Sequence, residues 1–394
     1  MASNNHNIAV YIDLCEAFDT VNFEILLDKL SHYGIRDIEL KWFKNYLKRT
    51  QFTFSNATFS DILSMILGIP QGTLLGPLLF LLYVNDLPLM TSLLTLLFAD
   101  DTTFQCEGPD LPHLITHLNR ELAKAQMWFD ANKLTLNVSK TKYMIFSKQQ
   151  IPANLPEVMI GDYVVDRVGD SMRDKEVRFL GVWVDSGLTF SSHISKLKIK
   201  LSTGLYALGT SRNETPIRIR MNIYHALFES HLRFAAVIFG SASPKLLEEV
   251  FVMQKKAIRF ISNAPFHAHT SNLFLDLKIL KLDDLLKLER ILIVHKYKHG
   301  RLPPAFDCSF LIDSDSLALK RREDIHSLKP PIIPNKQFSR LPQTLLARSW
   351  NELPFTVRSE GELDKFKSEF VRLTLNSYTF TCTEISCYSC NMNY

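Results

Sequence analysis

An apolar run from Leu93 to Phe98 stops at Ala99-Asp100-Asp101 and resumes as a second β-prone segment from Thr102. The pattern predicts a hairpin with an acidic tip. Adjacent carboxylates at the end of buried strands repel each other and lose hydration, so a fold that keeps them needs a cation nearby. A third acid able to close such a site is Asp13, in the short strand-like run Ala9-Val10-Tyr11-Ile12-Asp13-Leu14. Three acids on neighbouring strands suit two hard cations, Mg²⁺ or Mn²⁺. Such a pair, about 3.5–4 Å apart, clamps the attacking and leaving oxygens of an in-line phosphoryl displacement. The chemistry indicated is nucleotidyl transfer. Taken singly, each acid reads as a turn or strand-end residue.

The segment between them changes that reading. It runs Gly68-Ile69-Pro70-Gln71-Gly72-Thr73-Leu74-Leu75-Gly76-Pro77, followed by an apolar stretch to Pro88. Together with Asp13 to Val21, which contains Ala17-Phe18-Asp19-Thr20-Val21, and with Phe98-Ala99-Asp100-Asp101, it resembles the reverse transcriptases of non-LTR (LINE-type) retrotransposons. Three motifs of that family occur here in order. The resemblance extends through Asn132 to Lys142, through Arg178-Phe179-Leu180-Gly181-Val182-Trp183-Val184-Asp185, and to Trp350-Asn351-Glu352-Leu353-Pro354. It covers roughly positions 8 to 372.

The resemblance implies an RNA-directed DNA polymerase that adds dNTPs to a DNA primer on an RNA template. Asp13, Asp100 and Asp101 would be the metal carboxylates, with the backbone carbonyl of Leu14 a further ligand. Phe18 would abut the sugar 2′ position and exclude ribonucleotides. Gln71 and Gly72 would form part of the nucleotide pocket, the amide offering donor and acceptor and the glycine admitting close backbone approach. Lys140 would stand near the pyrophosphate, with Lys142 and Lys148 competing for that role. Leu180 and Gly181 would hold the primer end. Read without the motifs, Phe18 is a core aromatic, Gly68 to Gly72 a turn and Lys140 a solvated surface lysine.

These side chains need an α+β frame: a polymerase right-hand palm, with an antiparallel sheet packed by helices, then a helical thumb and an irregular C-terminal tail. Phe23, Leu26, Leu27, Leu30 and Tyr33 make a helical stripe ended by Gly34, and Trp42, Phe43, Tyr46 and Leu47 mark a second helix. A third is predicted from Leu111 to Asp130, and a hairpin turns at Gly161-Asp162. Leu74 to Phe98 reads as a buried helix and strand rather than a membrane span. Ile194, Leu197, Leu201, Leu205 and Leu208 recur at helical spacing, with Ser191 or Ser192 as N-cap. The predicted divisions are a palm over 1–190, a basic thumb over 191–300, a Pro-rich linker or strap over 301–342 and a short helical tail over 343–394.

Charge is distributed unevenly. The net formal charge is +4, yet Ser191 to Arg301 holds eighteen Lys and Arg against eight Asp and Glu, a local +10 that leaves −6 elsewhere. A basic region beside an acidic one suits phosphate contact in one place and metal binding in the other. Cys382, Cys387 and Cys390 cluster near the end; a reduced, unstructured tail is expected there rather than a zinc site. No secretory signal opens the chain, so an intracellular setting, nucleus or cytoplasm, is expected. Because the first acid lies only a dozen residues from Met1, the fingers region and an endonuclease are expected to be missing, with a separate polypeptide a candidate source of fingers. Glu16 and Phe23 also depart from the family's usual residues. The alternative expectation, of a different class, is a truncated non-catalytic retrotransposon remnant that retains only nucleic-acid binding.

Overall fold

The computed structural model describes residues 5–169, 174–303, 312–313, 328–329 and 340–378. The chain divides into two compact units, 1–188 and 189–394.

The first unit opens with β1 (His6–Ile12) and continues through α1 (Phe23–His32) and α2 (Asp37–Leu47). Asn22 caps α1, its Oδ1 accepting from Glu24 N and Ile25 N at 3.0 and 3.1 Å. A double hairpin follows, made of β2 (Arg49–Gln51), β3 (Phe54–Ser55), β4 (Thr58–Phe59) and β5 (Leu63–Met65), in which β2 pairs β5 and β3 pairs β4. Next come α3 (Leu75–Val84), β6 (Leu94–Phe98), β7 (Asp101–Gly108), α4 (Leu111–Ala131) and β8 (Lys142–Phe146). The unit ends with β9 (Met159–Ile160), β10 (Tyr163–Val164), β11 (Asp166–Val168) and the hairpin of β12 (Glu176–Phe179) and β13 (Val182–Asp185).

Five strands form the main sheet in the order β11-β8-β1-β7-β6. Four are antiparallel neighbours, but β11 pairs β8 in parallel, so the sheet is mixed rather than antiparallel throughout. The cause is the crossover from β8 to β11, which passes through the β9–β10 hairpin and brings the chain back in its original direction. Side chains alternate across the sheet. Ile8, Val10 and Ile12 of β1 and Phe104 of β7 face the helices, joining the core formed with Leu26, Leu30, Phe80, Leu118, Leu122 and Phe129. On the other face, Tyr11 and Phe146 pack with Met144, Val168 and Val177, beneath the β12–β13 hairpin.

Strand β6 corrects the expectation of a buried strand. As the sheet's edge it leaves Leu94, Leu96 and Phe98 exposed on the open face, while Leu97 packs inward. The run is apolar in sequence but for Thr95, and only alternate residues can reach the helical core.

The second unit is helical: α5 (Ser191–Ser211), α6 (Ile217–Tyr224), a π turn at His225–Glu229, α7 (Ser230–Arg233), α8 (Ala236–Phe239), α9 (Pro244–Ile261), α10 (Ser271–Asp276) and α11 (Leu282–Lys298). Ile194, Leu197, Leu201 and Leu208 are buried as the periodicity requires. Neither Ser191 nor Ser192 is the N-cap of α5. Phe190, at φ +57°, precedes the helix, and Thr189 Oγ1 accepts from Ser191 N at 3.3 Å. After the Pro-rich stretch, α12 (Pro342–Asn351), α13 (Phe355–Arg358) and α14 (Leu363–Asn376) belong to this same unit. Phe366 of α14 packs against His295 of α11 and Trp350 of α12.

Many cations of the basic region hold the fold rather than face solvent. Arg220 is buried and donates to the carbonyls of Ile261, Thr215 and Arg212. Arg233 pairs with Glu229 and Glu289, Lys198 with Glu249, and Lys255 with Glu248. Most of the 301–342 strap and all three C-terminal cysteines lie outside the described residues. Among the described residues, no helix is long and apolar enough to cross a membrane.

Candidate active site

Strand register brings the separated acids together. β1 pairs β7 from His6↔Gly108 to Ile12↔Thr102. Asp13 and Asp101 are the next residues beyond its last pair, and the charge of Asp13 is felt at Asp101. The turn between β6 and β7 consists of Ala99 and Asp100, because Phe98↔Asp101 is the last pair of that hairpin. Ala99 has φ +52°, a left-handed conformation that costs a non-glycine residue about 1 kcal/mol. Asp13 follows Tyr11 on the open face, so its carboxylate and that of Asp101 lie on the same side of the sheet.

Partial burial, then the charges of Asp100 and Asp13, push the Asp101 carboxyl above the ordinary carboxylate range, while Arg178 on β12 pulls in the opposite sense. A like-charge cluster of this kind favours a divalent cation. The Leu14 carbonyl fits the same purpose. The bridge Leu14↔Leu136 is made by Cys15 N to Thr135 O and Asn137 N to Asp13 O, both 2.8 Å. In that arrangement Leu14's own carbonyl points away from Leu136, toward the β7 side. Among the described residues, no three acidic, histidine or cysteine side chains converge tightly enough to form a ready cage. The donors therefore suit a hard cation by type and register.

Around this pair the structure distributes the remaining residues. Lys140 Nζ lies 3.8 Å from Asp13 Oδ2, whereas Lys142 pairs with Asp174. Of these two lysines, Lys140 is the one beside Asp13. Buried Thr141 accepts from Asp13 N at 3.2 Å and fixes the strand end. Phe18 is half-buried and stacks on Phe80 of α3 at 4.7 Å. Gln71 Nε2 donates to both carboxylate oxygens of Asp19, at 3.1 and 3.0 Å. Gly72 has φ +74°, and nothing lies within 4 Å of where its side chain would begin. The turn of the β12–β13 hairpin is Leu180-Gly181, both at positive φ (+46° and +84°), as a tight two-residue hairpin requires. This hairpin seats on β1 through Phe179 and Tyr11, 5.7 Å between rings.

Four contributors received no role from the sequence. Gly68, at φ +83°, makes the close backbone approach: a side chain there would start 2.8 Å from Asp19 O. Arg49 Nη2 donates to Gly68 O at 2.6 Å. Asp19 anchors Gln71, and Arg178 opposes the carboxyl repulsion. Gly68 and Asp19 sit inside the quoted motifs, which was the available signal. Arg178 likewise opens a quoted stretch, whereas Arg49 joins the site only through a tertiary contact.

Comparison with known proteins gives the chain's relatives. Residues 1–184 match the family described as reverse transcriptase (RNA-dependent DNA polymerase). The RNA-directed DNA polymerase from mobile element jockey of Drosophila melanogaster is 25% identical over 73% of this chain and 32% of its own length. The jockey protein of Drosophila funebris is likewise 25% identical, over 74% of this chain and 32% of its own. The probable RNA-directed DNA polymerase from the Drosophila melanogaster X-element is 26% identical over 70% and 30%. The chain thus spans about a third of the length of these relatives. A solved telomerase from Candida albicans aligns over 69% of this chain and 48% of its own at 12% identity, with a TM-score of 0.33, too low to bear on the fold.

Proposed function

Residues 1–184 are a reverse transcriptase domain related to those of non-LTR elements, and from that premise we propose that the chain extends a DNA primer on an RNA template by adding dNTPs. The observation that supports the reading is the β1–β7 register, whose last pair, Ile12↔Thr102, is flanked directly by Asp13 and Asp101.

Asp13, Asp100 and Asp101, with the Leu14 carbonyl, would hold two Mg²⁺ or Mn²⁺ ions. Bound there, the cations supply activation of the primer 3′-oxygen and stabilisation of the departing pyrophosphate. In the step itself a bond forms between that oxygen and the α-phosphorus while the α–β phosphoanhydride breaks. Lys140 stands at the edge of the acids and neutralises charge on the leaving group. Phe18, braced by Phe80, occupies the space a ribose 2′-hydroxyl would need. Gln71 and the open space at Gly72 receive the nucleotide, and Leu180-Gly181 steadies the primer end. Exposed cations of the second unit would contact phosphates of the primer–template.

The test is primer extension on an RNA template with Mg²⁺ or Mn²⁺. Extension should vanish in Asp100→Ala, and Phe18→Ala should gain use of ribonucleotides. A folded chain that binds primer–template without extending it refutes the polymerase reading and favours a nucleic-acid-binding remnant.

A further inference from the structure

In the main sheet β8 and β11 run parallel, so both strands end on the same side and their outgoing chains part there. Diverging chains at the carboxyl ends of parallel strands leave a crevice between them. Here it is a cavity of about 610 Å³, bounded by the loop of Ile151 to Ala153 after β8, by Arg167 and Val168 of β11 and by Ser186 after β13. It is remote from the acids. Asn7 pairs with Phe146 at this end of the sheet, and Asp13 lies six residues further along the chain, about 20 Å away.

Among the described residues, Arg167 is the one charged residue in the lining. Its Nε is buried without a hydrogen-bond partner, and among the described residues no hydrogen bond or ion pair engages its guanidinium. A guanidinium stays ionised and presents a planar fork that matches an oxyanion. An unmatched buried donor costs stability, and an oxyanion seated in the cavity removes that cost.

The rest of the lining narrows the choice of anion. One cation balances a single negative charge, not a di- or triphosphate. Among the described residues no aromatic ring lines the cavity, so a nucleobase would find nothing to stack on. Ile151, Pro152 and Ala153 offer aliphatic surface instead, and the volume is that of a small-molecule site. Ser147, which also lines it, is already engaged: its hydroxyl donates to Gln149 O at 3.1 Å and accepts from Gln149 N at 3.0 Å. We propose that this cavity binds a monocarboxylate with a branched aliphatic body, the carboxylate held by the Arg167 fork. Free short-chain acids carry that chemistry, and so does the end of a peptide whose last residue is apolar. The site goes beyond the polymerase reading and does not depend on it.

The experiment is calorimetric titration of the full chain with 4-methylpentanoate, with N-acetyl-leucine and with 4-methylpentanamide, which matches the first in shape but carries no charge. At least one acid should bind with submillimolar affinity, and the amide at least tenfold more weakly. Binding of 4-methylpentanoate supports the site as one for a free acid, and binding of N-acetyl-leucine alone supports it as one for a peptide end. Arg167→Met should weaken binding at least tenfold while the urea midpoint stays unchanged or rises, because an unmatched cation is removed. Ala153→Trp, in the exposed part of the loop, should block the cavity with the cation intact. Asp100→Ala should bind as the wild type does. The proposal is overturned by no binding of either acid, by equal affinity for acid and amide, or by undiminished binding in Arg167→Met or Ala153→Trp. Tighter binding of inorganic phosphate than of either acid, or a lowered urea midpoint in Arg167→Met, would overturn it as well.

Discussion

Two glycines four residues apart should behave very differently when replaced by alanine. Both Gly68 (φ +83°) and Gly72 (φ +74°) are left-handed, so either substitution incurs about 1–2 kcal/mol of backbone strain. Gly72→Ala should cost no more than that, because its side chain would enter open space. At Gly68 the new Cβ would lie 2.8, 3.0 and 3.1 Å from the O, Cα and C of Asp19. Backbone atoms cannot rotate aside, so the two loops must part by about half an ångström, the shortfall from ordinary van der Waals distance. That movement stretches the bonds Gly68 N–Val21 O and Ile69 N–Phe18 O, each worth about 1 kcal/mol. Gly68→Ala should therefore cost about 3–4 kcal/mol, roughly 2 more than Gly72→Ala. Urea unfolding followed by circular dichroism measures the difference, with Gly34→Ala, also at positive φ in open space, as a second reference. If Gly72 lines the nucleotide pocket as proposed, the order should partly reverse in nucleotide binding, since a methyl there would intrude on the nucleotide and leave the fold intact. Equal stability costs at the two positions would refute the claim that the two motif loops meet through Gly68.

Three further outcomes follow from charge. Glu121, buried on α4, is held down to about 2 by Lys124 and the Ser92 amide, so its contribution to stability is complete above about pH 4.5 and is lost as pH falls toward 2. Glu121→Ala should cost about 2 kcal/mol at neutral pH and flatten the acid-unfolding curve over that window. Asp101 is the opposite case: its raised carboxyl pKa favours the fold only at low pH and the contribution disappears as pH rises through the raised value. Asp101→Asn should thus raise the urea midpoint slightly at pH 7, while extension falls at least 100-fold. Binding of primer–template should weaken steeply with salt, with a log–log slope of about −3 to −5, because Lys200, Arg218, Lys245, Lys256, Lys278 and Lys296 are exposed and, among the described residues, have no ion-pair partner. A salt-independent affinity would remove the second unit from nucleic-acid contact.

Local pattern carried much of the fold. The stripe from Phe23 to Tyr33, the long helix after Asp110 and the hairpin at Gly161-Asp162 were legible because amphipathic period and turn chemistry are properties of neighbouring residues. The acidic hairpin was legible for the same reason. What escaped depends on partners distant in sequence. Nothing local marks β11 as a parallel edge strand, or β6 as the opposite edge whose outer residues stay exposed. Nor does anything local show that Phe52, Phe54 and Phe59 lie exposed on the double hairpin, with their rings in contact with one another. The basic stretch counted as eighteen cations, but burial of Arg220 and pairing with Glu229, Glu248, Glu249 and Glu289 withdraw several from solvent. Choosing Lys140 over Lys142 required knowing that the loop after Asn137 folds back on Asp13. The tie between Asp19 and Gln71 spans two motifs whose spacing says nothing of a hydrogen bond.

The most direct test of the claim that register-matched acids build a divalent-cation site is a Mn²⁺ titration of the full chain with a dNTP present, read by water-proton relaxation. The wild type should take up two ions per site, and Asp13→Asn and Asp100→Ala should each lose at least one or weaken it at least tenfold. Identical stoichiometry and affinity in all three would contradict the assignment of these acids.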